Sequence, residues 1–385
     1  MSRDNLLWLT LEDGIVTLGA QFREVAVSLL LTALNPASSS YAWYFLAGSI
    51  PGLLLPRLYT WASLRWPPRR VMQASYILRM LLVLGLWRAE SFALALAALA
   101  GLAFGSGLHG TAQAHYIAQP DNFEKTRTFV QRLRQSDSLM RLTGPLAAGV
   151  ALNWAGFRFG FLASAALYGL SMTMASRLSP LPPPSSAHGQ PSPSIWRRWP
   201  DTAGWVVMGL SFLTWQANTL AIAYTFHVLH RQAFGYGLTL SVWGGSGFLA
   251  AALLARIQHR PYRWIPLLFG VLGLTWIWLG QGVSFPVFVV LGGVEGLAGW
   301  LVQDLVQAVV LSAAEAGRAG EAQARLGVYG EAGSLLGLAL LLVLPGTWLI
   351  KPWYGILGLM SLVAALFGAV GMLQRAWQVW TVRQG

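Results

Sequence analysis

Residues 5–34 read NLLWLTLEDGIVTLGAQFREVAVSLLLTAL, and the rest of the chain is read from this stretch. It has the length of a membrane-spanning helix, since about 20 residues cross a ~30 Å hydrocarbon core. Yet Glu12, Asp13, Arg23 and Glu24 interrupt the apolar run. A charge at membrane depth costs roughly 2.5–3.5 kcal/mol even on the insertion scale, and is tolerated where it faces a bundle interior or a wet cavity. Positions 12 and 23 are eleven residues apart, which is three turns plus about 20° at ~3.6 residues per turn. Positions 13 and 24 keep the same spacing. The spacing predicts one polar stripe, acidic near the start of the helix and mixed in charge further on, forming the wall of a substrate pathway.

Moving outward from this helix, the whole chain has the composition of a bilayer protein. Of its 385 residues 55% are hydrophobic and 10% charged, where a soluble domain carries about 25% charged residues. The first apolar segment is too long and too charged for a secretory signal, and many more follow it. There are no cysteines, which excludes disulfides, thiolate metal sites and cysteine nucleophiles. Apolar runs place twelve spans near 7–33, 41–62, 71–88, 91–115, 129–152, 157–177, 204–228, 235–256, 264–283, 286–312, 325–348 and 353–374.

The net charge of +12 is explained by the positive-inside rule instead of by nucleic acid. With a cytoplasmic N-terminus, the inner connections and the two termini carry 20 of the 26 Lys and Arg. The outer connections carry only Arg88, Arg158, Arg231 and Lys351, while Arg23 and Arg79 fall within spans. Both termini are therefore expected in the cytoplasm. Residues 179–203 are rich in Pro and Ser (SPLPPPSSAHGQPSPSIWRRWPD over 179–201) and read as a flexible linker. It divides the chain into an N-terminal bundle, 1–178, and a C-terminal bundle, 204–385, of six spans each. Asp137 seven residues before Gly144 is echoed by Glu331 six before Gly337. The expected fold class is an all-α integral membrane protein with two pseudo-symmetric six-helix bundles.

At this point the chain resembles a transporter of the major facilitator superfamily, and in particular the bacterial branch that includes enterobactin exporters and macrolide efflux pumps. LWLTLEDGIVTLGAQF (7–22) is similar to that branch's first helix, with Gly19 matching. PRLYTWASLRWPPRRVM (56–72) occupies the place of the superfamily's loop motif between helices 2 and 3. Arg65, Arg69 and Arg70 match it, but its Gly and Asp positions fall on Thr60 and Leu64, so the motif is degenerate. Arg79 matches an arginine of helix 3 in this branch. TGPLAAG (143–149) resembles the helix 5 antiporter motif through Gly144, Pro145 and Gly149. The resemblance implies the major facilitator fold, twelve helices, and a central cavity lined by helices 1, 4, 7 and 10.

The residues agree with that cavity, because spans 1, 7 and 10 are the ones interrupted by polar side chains. Proton or substrate pathway candidates are Glu12, Asp13, Arg23, Glu24, Glu295 and Asp304. Clustered acids in a low dielectric hold protons near neutral pH, which is what proton coupling needs. Glu295 and Asp304 lie nine residues apart, about 180° around a straight helix, so only one of them faces a given cavity. Candidate cavity residues are His109, Gln113, Trp215, Gln216, Asn218, Trp300 and Gln303. Each has a structural alternative, namely a buried ion pair, a packing histidine or an aromatic core. Gating or structural candidates are Arg65, Arg69, Arg70, Arg79, Asp137, Gly144, Pro145, Gly149 and Glu331, with Asp137 and Glu331 expected to partner Arg134 and Arg325.

There is no Walker A loop, no H-E-x-x-H, no G-x-S-x-G and no His/Cys/Asp cluster at metal spacing, so neither ATP, a metal nor another cofactor is expected. The leading expectation is a secondary active transporter in the bacterial cytoplasmic membrane. It would exchange protons for a small amphipathic or hydrophobic compound by alternating access, as a monomer, without nucleic acid and without enzyme activity. The competing readings are a lipid, lysolipid or solute uptake transporter of the same fold, an integral membrane transferase, and a non-transporting sensor.

Overall fold

The structure is a computed structural model that describes residues 3–35, 37, 39–117, 123–181, 202–254, 263–313, 319–343 and 349–382. Among the described residues there are thirteen α-helices and no strand. In a hydrocarbon medium each backbone N–H and C=O must be satisfied within its own segment, which a helix does and an open sheet cannot. The helices are α1 (Arg3–Leu34), α2 (Ser39–Leu54), α3 (Pro56–Arg65), α4 (Pro68–Trp87), α5 (Phe92–Ile117), α6 (Phe123–Ala155) and α7 (Phe157–Ala175). They continue with α8 (Thr202–Ala223), α9 (Ala233–Leu254), α10 (Trp264–Gly280), α11 (Phe285–Ala313), α12 (Ala319–Leu342) and α13 (Ile350–Val382).

The hydroxyls of α1 follow the same economy. Thr10, Ser28 and Thr32 donate back to the carbonyls of Leu6, Glu24 and Ser28 at 2.8, 3.0 and 2.7 Å. The polar atoms are thereby satisfied without water. Helix α8 ends in a π-turn, Tyr224–Val228, closed by Leu229 N–H donating to the Tyr224 carbonyl at 2.9 Å.

Among the described residues seven helical stretches are long and apolar enough to cross a membrane, from Asn5–Leu34 to Ile350–Ala369, and Trp264–Gly280 and Leu326–Leu342 are shorter apolar helices. The chain is thus multi-pass. The expected second span, 41–62, is not one helix. Pro56 has no N–H to continue the ladder, so α2 stops at Leu54 and α3 starts at Pro56. With α2 and α3 taken together, the thirteen helices map onto the twelve expected spans.

The chain divides into two compact units, Met1–Pro193 with His230–Ser241, and Ser194–Leu229 with Val242–Gly385. The opening of α9 thus groups with the N-terminal helices, although the sequence places all of span 8 beyond the linker. In unit 1, α1 packs on α6 and α7, α4 packs on α5 and α7, and α2 packs on α5. In unit 2, α8 packs on α12 and α13, and α10 packs on α11 and α13. Moving α1, α4, α5, α6 and α7 forward by six spans turns the first set of pairings into the second.

Close approach within unit 1 uses the glycines of TGPLAAG. A side-chain carbon on Gly149 would come 2.8 Å from the Ala233 carbonyl oxygen, and one on Gly144 would come 2.9 Å from Gln21 Cγ. Pro145 and Gly149 also lie against Gly237 of α9. Backbone-to-backbone contact of this kind is how helices associate where there is no water to drive them together.

Candidate functional site

The polar side chains of α1 sort into two layers inside unit 1. The first layer is buried. Glu12 is 0% and His109 6% exposed, and Glu12 Oε1 lies 2.8 Å from His109 Nε2 of α5. Glu12 Oε2 is buried without a hydrogen-bond partner. His109 packs on the Tyr76 ring of α4 at 5.3 Å. One turn along α4, Arg79 is 3% exposed, with its guanidinium carbon 4.3 Å from the Tyr168 ring centroid and 5.8 Å from that of Tyr76. Gly105 of α5 leaves the room Arg79 needs, since a side-chain carbon there would come 2.8 Å from Arg79 Cγ. Tyr168 of α7, fully buried, accepts a hydrogen bond from Arg23 Nη1 at 3.1 Å. Glu12, His109, Tyr76, Arg79, Tyr168 and Arg23 therefore form a contiguous polar chain through the core of the bundle.

The second layer is half-exposed. Asp13 Oδ1 accepts from Gln113 Nε2 of α5 at 2.9 Å. Thr17 donates to Asp137 Oδ1 of α6 at 3.0 Å, and Arg141 Nε donates to Asp137 Oδ2 at 2.8 Å. Ser136 Oγ donates to the Thr10 carbonyl at 3.3 Å. The Arg141 charge also reaches Glu24 and Asp13. Among the described residues, four carboxylates (Glu12, Asp13, Glu24 and Asp137) and three guanidiniums (Arg23, Arg79 and Arg141) thus lie in or beside these two layers.

The side chain of Arg134, the partner expected for Asp137, lies outside the described residues. Asp137 pairs with Arg141, one turn in the other direction and on the same helix face. Arg141 counts among the inner basic residues when spans are read from hydropathy, and in the structure it sits well inside α6 among acids. The Asp137–Arg141 spacing of four was the available signal. Tyr76, Thr17 and Tyr168 had none, because a Tyr or Thr in an apolar run reads as packing.

Of the loop-motif arginines, Arg65 and Arg70 are exposed. Arg69 donates to the Leu178 carbonyl at 3.3 Å and so ties down the turn that follows α7. The side chain of Arg325 lies outside the described residues, and Glu331 is exposed on α12.

In unit 2, Glu295 is 6% exposed and faces the fully buried Trp276 indole of α10. Asp304 is half-buried and Gln303 exposed on the same helix. Gln216 is fully buried and pins helices together, donating to the Phe212 carbonyl at 2.9 Å and accepting from Trp353 Nε1 at 3.0 Å. Trp300 packs on Trp243 of α9 at 5.3 Å, and Trp215 and Asn218 are half-buried on α8. Among the described residues no group of three His, Asp or Glu is placed to hold a metal ion.

Residues 15–338 match the sequence profile of the Major Facilitator Superfamily. No curated protein sequence matches the chain. Among solved structures, the chain is similar to a bacterial homologue of the iron transporter ferroportin in an inward-facing state, with TM-score 0.74, 17% identity, and 97% of this chain and 99% of that one covered. It is also similar to the peptide transporter POT in complex with sulfate (TM-score 0.73, 14% identity, 96% and 94% covered). The nucleoside transporter NupG matches with TM-score 0.73 and 12% identity, over 95% and 99% of the two chains. At these identities the likeness concerns the fold.

Proposed function

The chain belongs to the Major Facilitator Superfamily, a superfamily of membrane transporters and not of enzymes, and on that premise we propose that it is a proton-coupled secondary transporter. It exports a small amphipathic or hydrophobic compound by alternating access. The observation that carries this reading is the set of ionisable side chains held inside unit 1, with Glu12 fully buried against His109 and Asp13 half-exposed beside Gln113. Charges in such a place are expensive and mark ion or proton pathways. Glu12 and Asp13 on α1, with Asp304 on α11, exchange protons for a polar or cationic substrate group, and Arg23 acts as counter-charge. Export as the direction is supported by the likeness of TGPLAAG and of residues 7–22 to enterobactin exporters and macrolide pumps. The excess of basic residues at the inner connections and termini over the four at the outer connections supports the bacterial cytoplasmic membrane with both termini inside. Nothing in this reading requires more than a monomer.

The test uses purified protein in liposomes that contain a pH-sensitive dye. A proton gradient is imposed and a panel of lipophilic cations, macrolides and siderophores is added, comparing the natural protein with Glu12→Gln/Asp13→Asn. Substrate-dependent proton flux that the double variant abolishes is the expected result. Flux that survives it moves the coupling site to Asp304 or elsewhere, and no flux with any compound overturns proton-coupled export.

A further inference from the structure

The contacts in unit 1 allow a charge count that selects one site. The ionisable groups linked to one another are Glu12, Asp13, Arg23, Glu24, Arg79, His109, Asp137 and Arg141. Asp13 lies within electrostatic reach of Glu12, Asp137 and His109, Arg141 of Asp137, Glu24 and Asp13, and Arg23 of Glu24. Arg23 and Arg79 share Tyr168. Four carboxylates against three guanidiniums leave one negative charge. Asp13, Asp137 and Arg141 are half-exposed, so the cost of an uncompensated charge, several kcal/mol where the group is buried, falls on Glu12 and His109. One proton restores neutrality, and the geometry shows where it fits.

Asp13, Glu24 and Asp137 have each a cation or an amide donor at hand: Gln113 for Asp13, Arg23 for Glu24, and Arg141 for Asp137. Glu12 differs. Its partner is an imidazole, its second oxygen is buried without any donor, and both members of the pair are more than nine-tenths buried. The 2.8 Å contact is a hydrogen bond that either member can donate, the imidazole through Nε2–H or a protonated carboxyl through its O–H, so the pair has room for a proton on both sides of the bond.

We propose that Glu12 and His109 together hold one exchangeable proton, and that this pair is the buried seat of the proton that the α1 acids exchange. With the proton on the imidazole the pair is Glu⁻/His⁺, and with it on the carboxyl the pair is neutral. Both arrangements carry zero net charge and titrate as one site. Release to water leaves the bundle with one negative charge, which a singly charged cationic substrate group can take the place of. The exchange is then one proton for one positive charge. This role in turnover rests on the transport reading given above, whereas the holding of the proton does not.

The groups that face the pair from neighbouring helices are few. From α1 itself Asp13 lies within electrostatic reach of both members; from α4 Tyr76 packs on the His109 ring with Arg79 behind it; and Asp137 and Arg141 of α6 reach the pair through Asp13. Helix α3 brings Tyr59 and the exposed Arg65, with the side chain of Arg57 outside the described residues, and α2 brings no charge.

The test is substrate-free. The protein is labelled on histidine nitrogens, placed in lipid nanodiscs and followed by nitrogen NMR through a pH titration, with the His109 resonance assigned by its loss in His109→Asn. One transition at His109 is expected, as a change of charge or of tautomer, and it disappears in Glu12→Gln. Arg141→Gln adds a negative imbalance and moves proton release to higher pH. Asp137→Asn removes one and moves it to lower pH. Each shift is on the order of one pH unit, as a unit charge ~10 Å away produces at an effective dielectric of ~20. The double variant Asp137→Asn/Arg141→Gln returns the transition to its natural position, which separates electrostatics from misfolding. A His109 that shows no transition, or one that shifts in the same direction in both single variants, overturns the proposal. If His109 titrates as described while liposomes show no substrate-linked flux, the transport reading fails and the proton seat stands.

Discussion

Tyr168 is where the buried layer of unit 1 is most exposed to a test. It touches two guanidiniums in different ways, with Arg79 stacked over its ring at 4.3 Å and Arg23 donating to its hydroxyl at 3.1 Å. The substitution Tyr168→Phe keeps the ring and deletes the acceptor. A hydrogen bond to a charged donor contributes about 1.5–3 kcal/mol, and losing its acceptor leaves that donor buried. Arg23 Nε is already buried without a partner, so losing the bond at Nη1 adds to a donor that is unsatisfied in the core. The expected cost is about 2 kcal/mol, or roughly 30-fold in the unfolding equilibrium. Tyr168→Leu also removes the π face under Arg79, which is worth about 2 kcal/mol in a desolvated setting. It should therefore cost about 4 kcal/mol or more. Both are read from equilibrium unfolding in mixed detergent–SDS micelles by tryptophan fluorescence. If Tyr168→Phe is as stable as the natural protein, or Tyr168→Leu is no worse than Tyr168→Phe, the two-cation account of this tyrosine is wrong.

Three other outcomes are expected. In unit 2, Gln216→Leu loses the bond from Trp353 Nε1 at 3.0 Å and should cost about 1 kcal/mol in the same unfolding assay while substrate flux persists, because the side chain is used to join α8 to α13. Gly273 and Gly358 bring α10 and α13 into backbone contact, a carbon on either coming 2.8 or 2.6 Å from the other's carbonyl oxygen. Gly273→Leu should therefore cost about 1–3 kcal/mol or more by overpacking, seen as loss of the monodisperse peak on size-exclusion chromatography after mild heating. Arg69→Gln removes one bond to the Leu178 carbonyl in the turn that follows α7, and an effect above about 1 kcal/mol would contradict the modest role given to it.

The sequence carried the fold through quantities that need no partner: run length, charge partition and the six-plus-six division around a Pro/Ser stretch. It carried the superfamily through TGPLAAG and residues 7–22. The site was legible in part, for reasons of geometry. Helical arithmetic says that positions 12 and 23 share a face, and it is silent on what lies opposite. In the structure Glu12 meets α5 and Arg23 meets α7, so one stripe serves two neighbours at different heights. The same arithmetic separates Glu295 from Asp304, and their burial differs accordingly. Arg141 was obscured because the charge partition counts it with the inner basic residues although it lies in the middle of the expected span 129–152. The long α6 continues past it, and only the i to i+4 relation to Asp137 marks it as an interior charge.

The break between α2 and α3 bears on how the protein is made. Helix α2 has 16 residues and spans about 24 Å, short of a ~30 Å core, so neither piece is a stable transmembrane segment by itself. The insertion machinery meets residues 41–62 as one apolar stretch and releases it into lipid before its neighbours exist. The break at Pro56 removes a ladder bond that lipid cannot replace, and α3 takes most of its cover from α5, with less from α2 and α4, and α5 emerges later. The second span is thus completed after the fourth has entered the bilayer. A ribosome stalled between them would hold a nascent chain whose hairpin is inserted but not yet settled at its final depth.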